Sequence, residues 1–412
     1  MATPPQTPEQ GHILRMPDFR RIWLAQLVSV FGDFLALFGI ISLITFRLHG
    51  NAVQVTTVVI AYSLPLAILG PPIGVFADHL NTKKAMILSD VVRGFLVLLL
   101  LVVRDVPQIA AVMFAICVVS CLFIPSQSIL VRTLIPRERL LQANAALSQA
   151  FYLIRIASPL IAGAIVASLG EKATFILDSV SFFFSAVMIS ALVVHRPPRE
   201  DADKTLKGLT RDFKEGNRFI FTHPGLSFVF IAMAVAMFVL SSFSPLISIF
   251  VRDQLKAGPM LFGVVSAMVG VGLIAGTTLI TRIAGRRPQP GVVLVGLIGS
   301  GVATLVLSVS YYSWEAALSM FLLGFALSLI LIPAQTMSQQ ETPHEMVGRV
   351  SSTFVSMISI AQVLGLLLSG VLAQKLGIRP LFFACSLLFA VVTVAGWIYL
   401  RRRTPSPEPA TE

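Results

Sequence analysis

Apolar runs of about 20 residues recur along almost the whole chain, separated by short polar segments. That length carries an α-helix across a bilayer core, where a helix satisfies its own backbone hydrogen bonds. Twelve runs can be marked, near 19–46, 53–76, 84–103, 107–130, 140–169, 173–194, 225–251, 260–281, 289–312, 314–337, 346–374 and 379–400. The Pro71-Pro72 pair interrupts the second and could alter the count by one.

The longest polar stretch, His195 to Pro224, divides six runs from six. Its second part, Leu206 to Phe221, intersperses apolar residues with Lys and Arg, as an amphipathic helix on a membrane surface does. An internal repeat supports the division. Ile124-Pro125-Ser126-Gln127 recurs as Ile332-Pro333-Ala334-Gln335, and Gly163, Leu169, Gly170 and Phe175 recur as Gly370, Leu376, Gly377 and Phe382. The expected fold class is all-α integral membrane: twelve transmembrane helices in two pseudo-symmetric six-helix bundles, with a site between the bundles. The expected organisation is a cytoplasmic N-terminal tail at 1–18, a first bundle at 19–194 and a cytoplasmic linker with an amphipathic helix at 195–224. A second bundle at 225–400 and a cytoplasmic tail at 401–412 complete it.

Composition excludes most alternatives. Of the 412 residues, 56% are hydrophobic and only 12% charged, with a mean hydropathy of +0.85. A soluble domain carries about 25% charged residues. The net charge of +11 would suit nucleic acid, but the basic residues lie where topology needs them. Most fall in segments on the side of the N-terminus, including Arg20, Arg21, Lys83, Lys84, Arg286, Arg287 and Arg401 to Arg403. That bias places both termini in the cytoplasm. The polar first 18 residues are expected to be a tail and not a signal peptide. Cys117, Cys121 and Cys385 show no metal-ligand spacing and no disulfide framework.

Charges inside the runs carry the candidate chemistry, since one at mid-bilayer costs about 2.5–3.5 kcal/mol on insertion scales. Asp33 lies roughly 20 Å into the first span. Desolvation disfavours a charged carboxyl there, which suits it to exchanging a proton for substrate. Arg155 lies near the middle of the fifth span and, being permanently charged, needs water, an acid or an anionic ligand. Asp33 and Arg155 are the candidates for proton and substrate coupling, either as a pair with which substrate competes or with Arg155 as a structural lock. Asp178, near the outer end of the sixth span, is a candidate gating or structural charge. Asp90 and Arg93, three apart on one helix face, join Gly74, Asp78, Lys83 and Lys84 as a candidate cytoplasmic latch. Gln26, Gln127, Gln149, Gln335 and Gln362 either line a pathway or hold helices together.

The segment Gly74-Val75-Phe76-Ala77-Asp78-His79-Leu80-Asn81-Thr82-Lys83-Lys84 resembles the signature loop of the major facilitator superfamily, with His79 where arginine is usual. Within that superfamily the chain resembles the branch of macrolide and enterobactin exporters. The likeness runs through Phe19-Arg20-Arg21-Ile22-Trp23, Phe31-Gly32-Asp33, the stretch Leu134 to Asn144, and Asp178-Ser179-Val180-Ser181-Phe182. The Phe-Gly-Asp opening also resembles lysophospholipid transporters, and Ser158-Pro159 replaces the usual Gly-Pro of the fifth span.

The resemblance implies a secondary active transporter of the inner membrane that exports small amphipathic molecules (drug, macrolide or siderophore-like) by proton antiport and alternating access. The expected partners are a small-molecule substrate and the lipid bilayer, without nucleic acid, and a monomer is the expected working unit. No cofactor beyond an ion gradient is expected, and no Gly-x-x-x-x-Gly-Lys-Ser/Thr loop appears for ATP. A lipid or lysophospholipid translocator of the same fold is the alternative. An intramembrane enzyme would need a nucleophile, base or metal cluster in facing spans. The six histidines lie instead at span ends or in loops, so an enzyme is not expected. A non-transporting receptor would need a polar docking domain, and the longest polar stretch has about 30 residues.

Overall fold

The computed structural model describes residues 13–77, 81–103, 105–193, 217–283, 290–343 and 346–403. The first six long helices are α1 (Pro17–Ser42), α2 (Ala52–Ala77), α3 (Thr82–Leu99), α4 (Val106–Leu134), α5 (Leu140–Leu169) and α6 (Glu171–Ser190). The second six are α7 (Pro224–Asp253), α8 (Pro259–Ile283), α9 (Pro290–Val309), α10 (Ser313–Gln340), α11 (Val347–Leu376) and α12 (Ile378–Arg403). Helix α2 runs unbroken through Pro71 and Pro72, so the count stays at twelve among the described residues. Ten of the helices hold segments long and apolar enough to cross a membrane. Helix α3 falls short on hydropathy because it carries Lys83, Lys84, Asp90 and Arg93.

Local chemistry sets the ends. Proline opens α1, α4 and α7, where its missing N–H costs nothing. The Asn81 side chain caps α3 by accepting from the Lys84 amide at 3.1 Å. Gly170 alone links α5 to α6 at φ +81°, and Gly377 alone links α11 to α12 at φ +92°. A side chain would be strained in either place, which explains why these two glycines stand out in the sequence repeat. Pro125 and Pro333, the other repeated pair, lie inside α4 and α10.

The packing repeats with the sequence. In the first half α1 rests on α5 and α6, α2 on α4, and α3 on α4 and α6. Six helices later α7 rests on α11 and α12, α8 on α10, and α9 on α10 and α12. The halves meet chiefly through α5 on α8 and α2 on α11, a pairing that exchanges into itself when the halves are swapped.

Outward faces are apolar. Ile176, Val180 and Phe184 form an exposed stripe on α6, as do Val295, Ile298, Val302 and Val309 on α9. Such stripes fit lipid and not water. Inside, one core runs through the second half and into the first, around Phe175, Phe182, Phe243, Phe250 and Phe382. A separate core around Phe19, Ile22, Phe123, Leu130 and Ile189 fills the first half at the end that carries the chain termini.

Candidate functional site

Between the two cores of the first half lies a layer of buried charge. Arg93 on α3 forms a close ion pair with Asp90, one turn back on the same helix. Its other terminal nitrogen is 3.9 Å from Asp33 Oδ2 on α1. The guanidinium lies between two rings, 4.3 Å from the Phe182 centroid and 4.6 Å from that of Phe123. Those rings belong one to each core, so Arg93 joins the cores through cation–π contact. Asp178 on α6 completes the layer. Ser181 Oγ donates to its carbonyl at 2.7 Å and lies 3.3 Å from its Oδ1. Ser179 Oγ donates to the Gly94 carbonyl at 2.9 Å, fastening α6 to α3 beside Arg93.

Gly32 explains how α1 comes so close to α6. A Cβ built there would meet Asp178 Oδ1 and Ser181 Oγ, so only glycine lets the Asp33 turn approach. Asp90, Arg93 and Asp178 are buried, whereas the Asp33 side chain is 21% exposed. Asp33 is therefore the least buried acid of the layer. Asp90 Oδ2 and Arg93 Nε have no hydrogen-bond partner among the described residues. Three carboxyls share the layer with one guanidinium, and full ionisation would leave two negative charges uncompensated in the protein interior.

A cleft opens beside α1 and α5, nearer than this layer to the end that carries the termini. Gln26, Asn144, Leu147, Ser148, Phe151 and Tyr152 line a hollow of about 210 Å³. An adjoining hollow of about 190 Å³ adds Gln127, Ser128, Val131 and Arg132. Gln127 donates to Gln26, binding α4 to α1, and Trp23 Nε1 donates to the Ala146 carbonyl at 3.2 Å. Asp33 lies seven residues beyond Gln26 on the same face of α1, about 10 Å deeper. On α5, Asn144, Ser148 and Tyr152 are exposed, while Pro159 and Gly163 on that same face press against Gly263 of α8. The halves thus diverge toward the end that carries the termini.

The opposite end is closed across the halves. Arg252 of α7 donates from Nη1 to the Thr45 and Gly50 carbonyls at 2.7 and 2.8 Å. The Thr45 and Ser248 hydroxyls are 2.8 Å apart. Phe38 stacks on Phe262 at 4.3 Å, and Gly370 receives Thr56 where a Cβ would clash.

The structure regroups the residues singled out in the sequence. The Asp33–Arg155 pair, one of the two alternatives for these residues, is not formed: Asp33 faces Arg93 instead, because its turn of α1 is directed at α3 and α6. Arg155 is exposed and makes no ion pair among the described residues. The expected latch divides as well. Asp90 and Arg93 lie about 12 and 16 Å into α3, inside the charge layer and not at its end. Lys83 instead donates to the Leu192 carbonyl at 2.7 Å, closing the end of α6. Gly74 lies in α2, Lys84 in the first turn of α3, and Asp78 outside the described residues. Residues 206–216 of the expected amphipathic helix are outside them too. Of the five glutamines, Gln26 and Gln127 line the cleft. Gln149 and Gln335 are exposed, and Gln362 lies 3.8 Å from Met237 Sδ. Ser179, Ser181 and Arg252 were missed as participants. Ser179 and Ser181 stand in the Asp178 motif, but nothing in the sequence distinguishes Arg252 from other basic residues of its end.

Comparison with known proteins identifies the lineage. The model of the family described as transmembrane secretion effector matches residues 12–409. The MFS-type transporter YfiS of Bacillus subtilis is 26% identical over 390 residues, 89% of each chain. Macrolide efflux protein A of Streptococcus pyogenes is 22% identical, covering 91% of this chain and 94% of its own length. The multidrug resistance protein MdtG of Dickeya zeae is 22% identical over 82% of each. Among solved structures, a bacterial homologue of the human lysosomal transporter Spinster, inward-facing and unoccupied, superposes with a TM-score of 0.73 at 14% identity. It covers 95% of this chain and 100% of that one. The nucleoside transporter NupG gives 0.72 at 13% identity, covering 94% and 100%. These relatives are membrane transporters and not enzymes. The chain is a multi-pass membrane protein of the transmembrane secretion effector family, a transporter of the major facilitator superfamily.

Proposed function

We propose that this transporter exports small amphipathic molecules by exchanging them for protons through alternating access, with Asp33 as the exchanging carboxyl. The observation that carries the reading is the position of Asp33: a partly exposed carboxyl in a buried charge layer, two turns beyond Gln26, which lines the cleft, on the same face of α1. Protonating Asp33 removes a negative charge from the layer and frees Arg93 for Asp90. Deprotonating it restores the pull on Arg93. The charge state of one side chain on α1 is thereby coupled to the packing of α1 against α3 and α6. An inward proton gains about 2.3 kcal/mol per 100 mV, a sufficient drive for uphill export. The names of the efflux relatives favour the outward direction. The excess of basic residues at the end carrying the termini favours a cytoplasmic placement of that end in the inner membrane. A monomer is the proposed working unit, with the proton gradient as the only further requirement.

The test is substrate-induced collapse of a pH gradient in everted vesicles, with wild type and Asp33→Asn at equal expression. A panel of macrolides, siderophores and lysolipids supplies the cargo. Proton release with one class of cargo, lost in the variant, is expected. Movement of labelled lysolipid without a proton signal, unchanged in Asp33→Asn, would replace this reading with a lipid translocator.

A further inference from the structure

Arg155 is the charge that the buried layer leaves out. It lies 15 residues beyond the start of α5, about 22 Å along the helix, at the depth of the bilayer interior. It is exposed, without an ion pair or hydrogen bond among the described residues. Helical geometry fixes its direction. Leu153 and Leu160, the exposed apolar residues to either side, are about 160° and 140° away around the axis. Ser148, which lines the cleft, and Pro159, which meets α8, are within about 40°. The guanidinium is therefore directed to the cleft side of α5, one turn beyond the lining residues Phe151 and Tyr152, and away from the side of Leu153 and Leu160.

Its surroundings complete half of a binding site. One turn nearer the mouth, the Phe151 ring lies 5.9 Å from Phe34 and 5.8 Å from Tyr152, an aromatic wall beside a cation. Arg132, exposed, stands at the rim of the adjoining hollow. The nearest layer of carboxyls is occupied with Arg93. Arginine stays charged on burial and matches carboxylate, sulfonate and phosphate with a two-pronged fork. A permanent cation held in a bilayer interior without an acid partner, with aromatic surface beside it, matches a ligand of opposite charge and apolar body.

The geometry points to a binding site for amphipathic organic anions: Arg155 takes the acid group, Phe34, Phe151 and Tyr152 take the apolar body, and Arg132 attracts the anion at the mouth. The assignment rests on the reading of the chain as a small-molecule exporter and names its substrate class. Neutral and cationic amphiphiles lack the group that Arg155 requires.

Equilibrium binding of radiolabelled cholate and its uncharged amide to the full chain in phosphatidylcholine nanodiscs tests it, with no gradient and no transport needed. Wild type is expected to bind cholate at least tenfold more tightly than the amide. Arg155→Gln should abolish that preference by weakening cholate alone, and Arg155→Lys should keep part of it. Adding phosphatidylglycerol separates the two sources of such an anion. Competition with cholate assigns the site to a lipid headgroup, its absence to a soluble amphiphile, and either upholds the anion site. Equal binding of acid and amide by wild type would overturn it, as would unchanged cholate binding by a well-folded Arg155→Gln. Since Asp33 is untouched, that failure would leave proton-coupled export standing; loss of coupling alone would leave the anion site standing.

Discussion

Asp33 on α1 lies 3.9 Å from Arg93 on α3, and Arg93 holds Asp90 one turn back in a closer pair. One guanidinium thus serves a fully buried carboxyl and a partly exposed one. The two acids differ in what surrounds them: Asp90 is fully buried within the first half, while the Asp33 side chain keeps partial exposure. A charge shared in this way transmits events at the partly exposed acid to the buried one.

Arg93 should accordingly be the residue on which the stability of the first half depends most. Arg93→Gln strands Asp90 without its partner, a loss of about 3–5 kcal/mol for a broken buried pair. Adding Asp90→Asn removes the stranded charge, so the double variant should recover much of that loss. Thermal unfolding of the purified variants in matched detergent reads both effects. An Arg93→Gln protein as stable as wild type, or a double variant no better than the single, would show that the layer is not held by this pair.

The sequence made the scaffold legible because its marks are local. Span length, Pro125 with Pro333 and Gly170 with Gly377 each act on the backbone where they stand, and each reappears in the helices. The i,i+3 pair of Asp90 and Arg93 was readable for the same reason. Partnership between helices was not. Periodicity shows that Asp33 and Gln26 share a face of α1, but not that α3 and α6 meet the turn at Asp33 while Arg155 stands apart from that layer. Depth was misjudged where a helix began earlier than its apolar run. Asn81 caps α3 ahead of the polar Lys83-Lys84 pair, so Asp90 lies deeper than hydropathy suggests. The polar tie at Arg252 was hidden because its partners are backbone carbonyls, which leave no trace in side-chain sequence.

The contact of α5 with α8 depends on Gly263. A Cβ there would lie 2.5 Å from the Pro159 carbonyl oxygen, a backbone atom that cannot swing aside. Gly263→Ala should therefore part the two helices and cost about 1–3 kcal/mol, the usual range for overpacking. Gly291→Ala, where a Cβ meets nothing within 4 Å, should stay within about 0.5 kcal/mol of wild type. Unfolding midpoints of the two variants, measured side by side, decide the matter. Equal midpoints would mean that the halves can close without this approach.

Arg252 bears on the conformational equilibrium more than on folding. Its bonds to the Thr45 and Gly50 carbonyls, with the Thr45–Ser248 contact, tie the second half to the first only at the closed end. A charged donor on a carbonyl is worth about 1.5–3 kcal/mol. Removing two such bonds is enough to move a two-state population by tenfold or more. Arg252→Ala should thus raise the share of molecules open at that end. Spin labels at exposed Lys172 and Lys256, one in each half, report it, since Cys117, Cys121 and Cys385 are buried. In pulsed dipolar measurements the wild type should give one short distance, and the variant should gain a longer component. The hollows near Gln26 should narrow in the same molecules, because a two-bundle transporter that opens at one end closes at the other. A variant with the wild-type distance distribution would place the closing energy in the apolar contacts instead, with Phe38 on Phe262 and α5 on α8 holding the end shut without the arginine.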